Sequence, residues 1–187
     1  RRGRSTQSTA RSQPGGGALT LADVETGSGS VTVSVTGGSL TAAIVSAAGA
    51  SQSVNLTTNT SGDINVGNVS ASGLTINVTA AGKIEESGAD AGADLSATTL
   101  NLIAGTGIGT AGTIEIAAST VTALTTTGNV ILAQPGGGAG TGQRSTWFVR
   151  YWDQRDSRAL GTLGVCGARL RPGEPRKRWR RCGLGAR

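Results

Sequence analysis

The sequence contains no histidine, the residue on which most hydrolytic triads and many zinc sites depend. It also has no methionine, only two cysteines and only four prolines in 187 residues. Aromatic residues make up 3% of the chain, and none of them lies within residues 18–134. No apolar run is long enough to cross a bilayer. We therefore expect a protein that is not an enzyme, with no catalytic, cofactor-binding or metal-binding residues and no small-molecule substrate.

Charge divides the chain into three parts, although its formal net charge of +6 does not show this division. Residues 1–17 contain four arginines and no acid, whereas residues 18–134 contain one lysine and eight acids. Residues 135–187 contain twelve basic and three acidic residues, together with both cysteines and every aromatic residue. The composition predicts a disordered basic leader, a structured middle region and a basic tail that is disordered or translated out of frame.

Apolar and polar residues alternate in short runs within residues 18–134, as in Val31-x-Val33-x-Val35 and Leu74-x-Ile76-x-Val78. Alternation of this kind places the apolar side chains on one side of a β-strand. Glycine, asparagine and aspartate cluster between the runs, where turns are expected. The middle region is therefore predicted to be all-β.

The runs recur with a period of about 22 residues, which is typical of a solenoid in which each repeat closes one rung. Two interleaved ladders follow this period; we take them as Val33, Leu56, Val78, Leu102 and Leu124, and as Ile44, Ile64, Ile84, Ile108 and Ile131. We predict a right-handed parallel β-helix of roughly five rungs, with these ladders facing inward. A β-sandwich, in which strands follow one another every 8–12 residues, is the alternative.

The glycines at positions 107, 109 and 112 match the dinucleotide-binding fingerprint G-x-G-x-x-G. In a nucleotide-binding protein these glycines lead into a helix, and an acidic residue follows about 20 positions later. Here β-branched residues dominate the next stretch, and no acid occurs between Glu115 and Asp153. We interpret the motif as a turn between two strands and expect no cofactor.

Four acids lie close together in the sequence, at Glu85, Glu86, Asp90 and Asp94. Carboxylates can bind Ca²⁺ through oxygen, but neither the EF-hand pattern nor the G-G-x-G-x-D repeat of calcium-binding β-rolls is present. A solvated loop is the interpretation we favour.

Three phrases of residues 61–132 resemble the repeat region of filamentous-haemagglutinin-like proteins, which are large bacterial adhesins. These phrases are G-D-I-N-V-G-N-V-S, A-G-K-I and L-N-L-I-A-G-T-G-I-G-T-A-G. The resemblance implies a parallel β-helix that serves as a rigid spacer or adhesive stalk, secreted or held at the outer cell surface. It also implies an outer-membrane transporter or autotransporter barrel for export, and a host-surface glycan or protein as the adhesion partner. Because the chain begins without Met or a signal peptide, we expect it to be a fragment.

The alternative function depends on Arg169 to Arg181, a basic stretch that also contains Trp179. Arginine and lysine can neutralise phosphates while an aromatic ring stacks on a base, so this stretch could bind nucleic acid. A further expectation concerns the ends of the solenoid, because bare strand edges recruit other strands. We predict self-association through those edges.

Overall fold

A computed structural model of the chain describes residues 9–11, 16–88, 90, 92–134, 146–151 and 162–163. These residues form fourteen β-strands and no helix. The first six strands are β1 (Thr9–Arg11), β2 (Leu19–Leu21), β3 (Val24–Thr26), β4 (Val31–Thr36), β5 (Leu40–Ala47) and β6 (Val54–Asn59). The next five are β7 (Ile64–Ala80), β8 (Lys83–Glu86), β9 (Leu95–Ala104), β10 (Gly107–Ile108) and β11 (Ile114–Thr125). The last three are β12 (Leu132–Ala133), β13 (Thr146–Tyr151) and β14 (Thr162–Leu163).

The strands stack in parallel as a β-solenoid of about 5 turns. Each rung contributes three extended runs, and each run pairs with the matching run of the next rung. Face 1 consists of β2, β8, β10 and the first parts of β5 and β7. Face 2 consists of β3 and the middle runs that pair with it through β5, β7, β9 and β11. Face 3 consists of β1, β4, β6, the last parts of β7, β9 and β11, and β13.

A continuous apolar core runs along the inside of all three faces. On face 3, for example, Val54, Ile76 and Leu100 are register partners and are fully buried. Successive rungs are about 4.8 Å apart, so equivalent side chains stack in van der Waals contact. The narrow interior accommodates branched aliphatic side chains, which explains the lack of aromatic residues in this part of the sequence.

The parallel register decides between the two predicted architectures. Val54, Val78 and Leu102 lie on successive strands that pair in parallel, not on separate antiparallel hairpins. The pairing of β13 with β14 is the one antiparallel pairing among the described strands. The prediction of a parallel β-solenoid is therefore confirmed, and the β-sandwich alternative is wrong.

Three of the ten predicted ladder residues lie outside the ladders. Their places are taken by Leu40 instead of Ile44, by Val130 instead of Ile131, and by Ala123 instead of Leu124. Ile131 and Leu124 are larger than the residues that replace them and Ile44 is equal in size to Leu40, but each of the three is between 37% and 44% exposed. Since a shift of one residue along a strand reverses the direction of the side chain, the position within the strand determined which residue faces inward, and size did not.

Alternation also fails at the corner between faces 1 and 2. Ala43 and Ile44 both face outward, whereas Ala42 and Val45 on either side of them are buried. In the next rung Gly67 and Asn68 occupy the same corner.

Within the described residues, no helix is long and apolar enough to span a membrane.

Candidate functional site

Three carboxylates converge at the corner between faces 1 and 2. Glu86 ends β8, Asp94 immediately precedes β9, and Glu115 is the second residue of β11. One oxygen from each lies within 4.8 Å of the others. Asp94 is the most enclosed, with 2% of its surface exposed, and its Oδ2 accepts a hydrogen bond of 2.8 Å from the backbone N–H of Glu115. Glu86 and Asp94 belong to one rung and Glu115 to the next, and the parallel pairing of β9 with β11 brings them together.

Burial raises the pKa of Asp94 from its ordinary value of 3.8 to about 7. The backbone hydrogen bond from Glu115 opposes this rise because it stabilises the charged form, whereas the charges of Glu86 and Glu115 reinforce it. Three carboxylates this close repel one another unless a proton or a cation neutralises part of their charge. Near neutral pH the cluster can hold a proton on Asp94, and its oxygens are of the type that hard cations prefer.

The other two acids of the predicted cluster have different partners. Glu85 is buried, and its carboxylate accepts hydrogen bonds from the hydroxyl of Thr110 and from the backbone N–H of Ala111 at 2.8 Å. Its Oε1 also lies 3.9 Å from Nζ of Lys83. Asp90 is exposed, and its backbone N–H donates to Glu86 at 3.0 Å. Glu85 therefore anchors the next glycine-rich turn, and the interpretation of all four acids as one solvated loop is wrong for Glu85 and Asp94.

Sequence reasoning missed Glu115 because it lies 21 residues beyond Asp94. That separation is close to one rung of the predicted period. Applying the period to the acids, and not only to the apolar residues, could have brought Glu115 next to Asp94.

A second ordered feature lies on the outward side of face 3. Asn55, Asn77 and Asn101 occupy the same position on successive strands. The side-chain amide of Asn77 donates to Oδ1 of Asn55 at 2.7 Å, and that of Asn101 donates to Oδ1 of Asn77 at 2.8 Å. The first amide of this asparagine ladder, that of Asn55, donates to Oγ1 of Thr32 at 3.4 Å. Each bond satisfies polar groups on the surface and links one rung to the next.

The glycine-rich stretch at residues 107–112 begins with the short strand β10 (Gly107–Ile108), and only residues 109–112 form the predicted turn. The strand β11 follows this turn where a nucleotide-binding protein would have a helix. The basic stretch Arg169 to Arg181 lies outside the described residues, so nucleic-acid binding stays a prediction from the sequence.

Comparison with known protein families, with curated proteins and with solved structures gave no match.

Proposed function

We propose that residues 18–134 are a rigid, non-enzymatic spacer in an exported bacterial surface adhesin. One observation carries this proposal: every rung pairs in parallel with the next around a continuous apolar core. Bending such a stack would separate paired strands and expose core side chains, so the stack resists bending and keeps a constant length. Each rung adds about 4.8 Å, and five rungs therefore extend over roughly 24 Å.

The surface chemistry supports the same role. Outward positions are mainly threonine, serine and asparagine, and hydrogen bonds join the asparagines from rung to rung. The phrases that resemble filamentous-haemagglutinin-like repeats add export to the outer surface, with a transporter as one partner. The adhesion target is then a host-surface glycan or protein that contacts another part of the adhesin.

The spacer proposal is tested by lengthening the solenoid. Val130 occupies the position of Leu40 four rungs later. The strand register links the two through one inward-facing ladder of face 1, which runs from Leu40 through Ile64, Ile84 and Ile108 to Val130. A second copy of residues 40–129, inserted between Asn129 and Val130, should therefore continue the stack by four rungs. Small-angle X-ray scattering should show an increase of about 19 Å in the largest dimension with an unchanged cross-section.

The matched control is an insertion of equal length made of glycine and serine, which should give a flexible chain and no second rod-like segment. An expanded cross-section in the variant with the duplicated rungs would contradict the proposal. Export is tested independently through the coding DNA. A signal peptide upstream and a neighbouring gene for an outer-membrane transporter are the expected findings.

A further inference from the structure

The backbone hydrogen bonds of face 1 follow one pattern from the first rung to the last. Each residue of the inward-facing ladder directs its N–H and C=O toward the following rung. At the start of the ladder, the N–H of Leu19 donates to the carbonyl of Ser39 at 2.9 Å. Near its end, Ile108 donates to the carbonyl of Asn129 at 2.9 Å and accepts from the N–H of Ile131 at 2.8 Å.

The two ends of this ladder carry complementary backbone groups. At the C-terminal end, Val130 pairs with Ile108, and its own N–H and C=O have no hydrogen-bond partner among the described residues. At the N-terminal end, Leu19 directs its groups toward β5, so the N–H of Thr20 and the C=O of Ala18 point to the open edge of β2. If Leu19 of a second copy followed Val130, Thr20 would donate to the Val130 carbonyl and Ala18 would accept from the Val130 N–H.

Face 2 is open at both ends as well, because among the described strands β3 pairs only with β5 and β12 only with β11. Charge favours contact between unlike ends of the solenoid. Asp23 and Glu25 lie exposed at the N-terminal end, whereas residues 126–134 at the C-terminal end contain no charged residue. Contact between two N-terminal ends would bring like charges together, and contact between an N-terminal and a C-terminal end would not.

Face 3 differs from the other two faces, because each of its ends carries an additional strand. β1 pairs with β4 at the N-terminal end, and β14 pairs with β13 at the C-terminal end. If β2 of a second copy followed Val130, the β1 of that copy would fall on the position that β13 already occupies. The β4 of that copy would need the edge of β13 that β14 covers. Both short strands must therefore separate before two solenoids can join.

We propose that the solenoid joins a second copy of itself head to tail, and that β1 and β14 restrain this assembly by covering the ends of face 3. β1 is paired over three residues and β14 over two, whereas a joined rung pairs β2, β3 and the six residues of β4. A rising protein concentration therefore overcomes the restraint. Head-to-tail contacts of this kind do not close, so the product is a longer rod. This proposal does not depend on the adhesin proposal.

Sedimentation equilibrium of the full 187-residue chain and its variants measures the association. Thr20→Pro removes the N–H at the open edge of β2 and breaks no bond to β5, and proline is tolerated on edge strands. The variant should associate about tenfold more weakly, because one backbone hydrogen bond of the joint is lost. Thr20→Val keeps the N–H and suits a strand, so it is the matched control and should associate as the original chain does. Circular dichroism with thermal unfolding establishes that each variant is folded.

The restraint is tested at β14. Replacing Thr162 and Leu163 together with proline removes both backbone donors of this strand. The double variant should associate several-fold more tightly than the original chain, because the edge of β13 is then uncovered. The matched control replaces Leu184 and Ala186 with proline, outside the described strands, and should leave the association unchanged.

A mixing experiment tests the direction of the joint. An affinity-tagged Thr20→Pro chain still offers its Val130 end, so it should retain the untagged original chain. If it does not, although original chains retain one another, the contact joins two N-terminal ends and the proposal is overturned. The proposal is also overturned if the original chain stays monomeric, or if Thr20→Pro associates as strongly as Thr20→Val. The restraint by β14 is refuted if its double proline variant associates no more tightly than the control.

Discussion

The side chains of Asn77 and Asn101 are hydrogen-bonded at 2.8 Å although 24 residues separate them in the chain. The bond is possible because the two residues occupy the same position on strands that pair in parallel. Where several asparagines stack in this way, each side-chain amide can donate a hydrogen bond to the asparagine on one side and accept one from the asparagine on the other. Asn77 does both, because it also donates to Asn55.

Replacing Asn77 with alanine should lower the free energy of unfolding by about 1–3 kcal/mol. The substitution removes two side-chain hydrogen bonds, each worth about 0.5–1.5 kcal/mol. Urea unfolding followed by circular dichroism measures the change. Asn68→Ala is the matched control, since Asn68 is exposed at a corner outside the ladder, and it should change stability by less than about 0.5 kcal/mol. Equal losses in the two variants would contradict a stabilising role for the ladder.

Replacing Ile76 with aspartate should cost at least about 4 kcal/mol, because it places a carboxylate without a partner in the apolar core. Ile76 is fully buried between Val54 and Leu100. Ile44→Asp is the control, since Ile44 is 44% exposed, and it should be nearly neutral. Thermal unfolding of the two variants tests the inward assignment of Ile76 directly, and similar melting temperatures would show that assignment to be wrong.

The sequence was most informative where apolar and polar residues alternate strictly. Val31 to Val35 and Leu74 to Val78 repeat every second residue, and the inward positions were predicted correctly except at Leu74, which is half-buried and lies outside the core beside a register irregularity. The corner at Ala43 and Ile44 was not predictable in the same way, because the bend turns two successive side chains outward. The carboxylate cluster could not be predicted from alternation at all, because the proximity of Glu115 and Asp94 depends on the register between rungs.

Replacing Gly62 with alanine should destabilise the solenoid by more than about 2 kcal/mol. Its φ angle of 110° is unfavourable for any residue with a side chain, and a Cβ atom there would collide with the carbonyl oxygen of Gly38 in the preceding rung. Gly27→Ala is the control, because a Cβ atom at Gly27 would have no atom within 4 Å. Urea unfolding should place the Gly27 variant within about 0.5 kcal/mol of the original chain. A Gly62 variant of unchanged stability would show that this turn can relax.

The full chain should form oligomers whose size depends on protein concentration. Among the described strands, β2 and β3 each pair only with β5, so the opposite edge of each carries backbone groups that another strand could use. Sedimentation velocity over a hundredfold range of concentration provides the measurement. A single monomeric species across that range would refute self-association through the strand edges.

The carboxylate cluster should make the solenoid less stable as the pH rises from about 4 to about 7. In this range folded Asp94 keeps its proton, because its pKa is about 7, whereas the unfolded residue loses its proton near 3.8. The folded state therefore binds more protons than the unfolded state, so its stability falls with increasing pH and levels off above pH 7. Asp94→Asn keeps an oxygen that can accept the hydrogen bond from Glu115 but carries no charge at any pH. The variant and the original chain should be equally stable near pH 4, and at pH 8 the variant should be more stable by at most about 4 kcal/mol. Urea unfolding at intervals of half a pH unit measures this difference, and a constant difference between pH 4 and pH 8 would show that Asp94 does not titrate in this range.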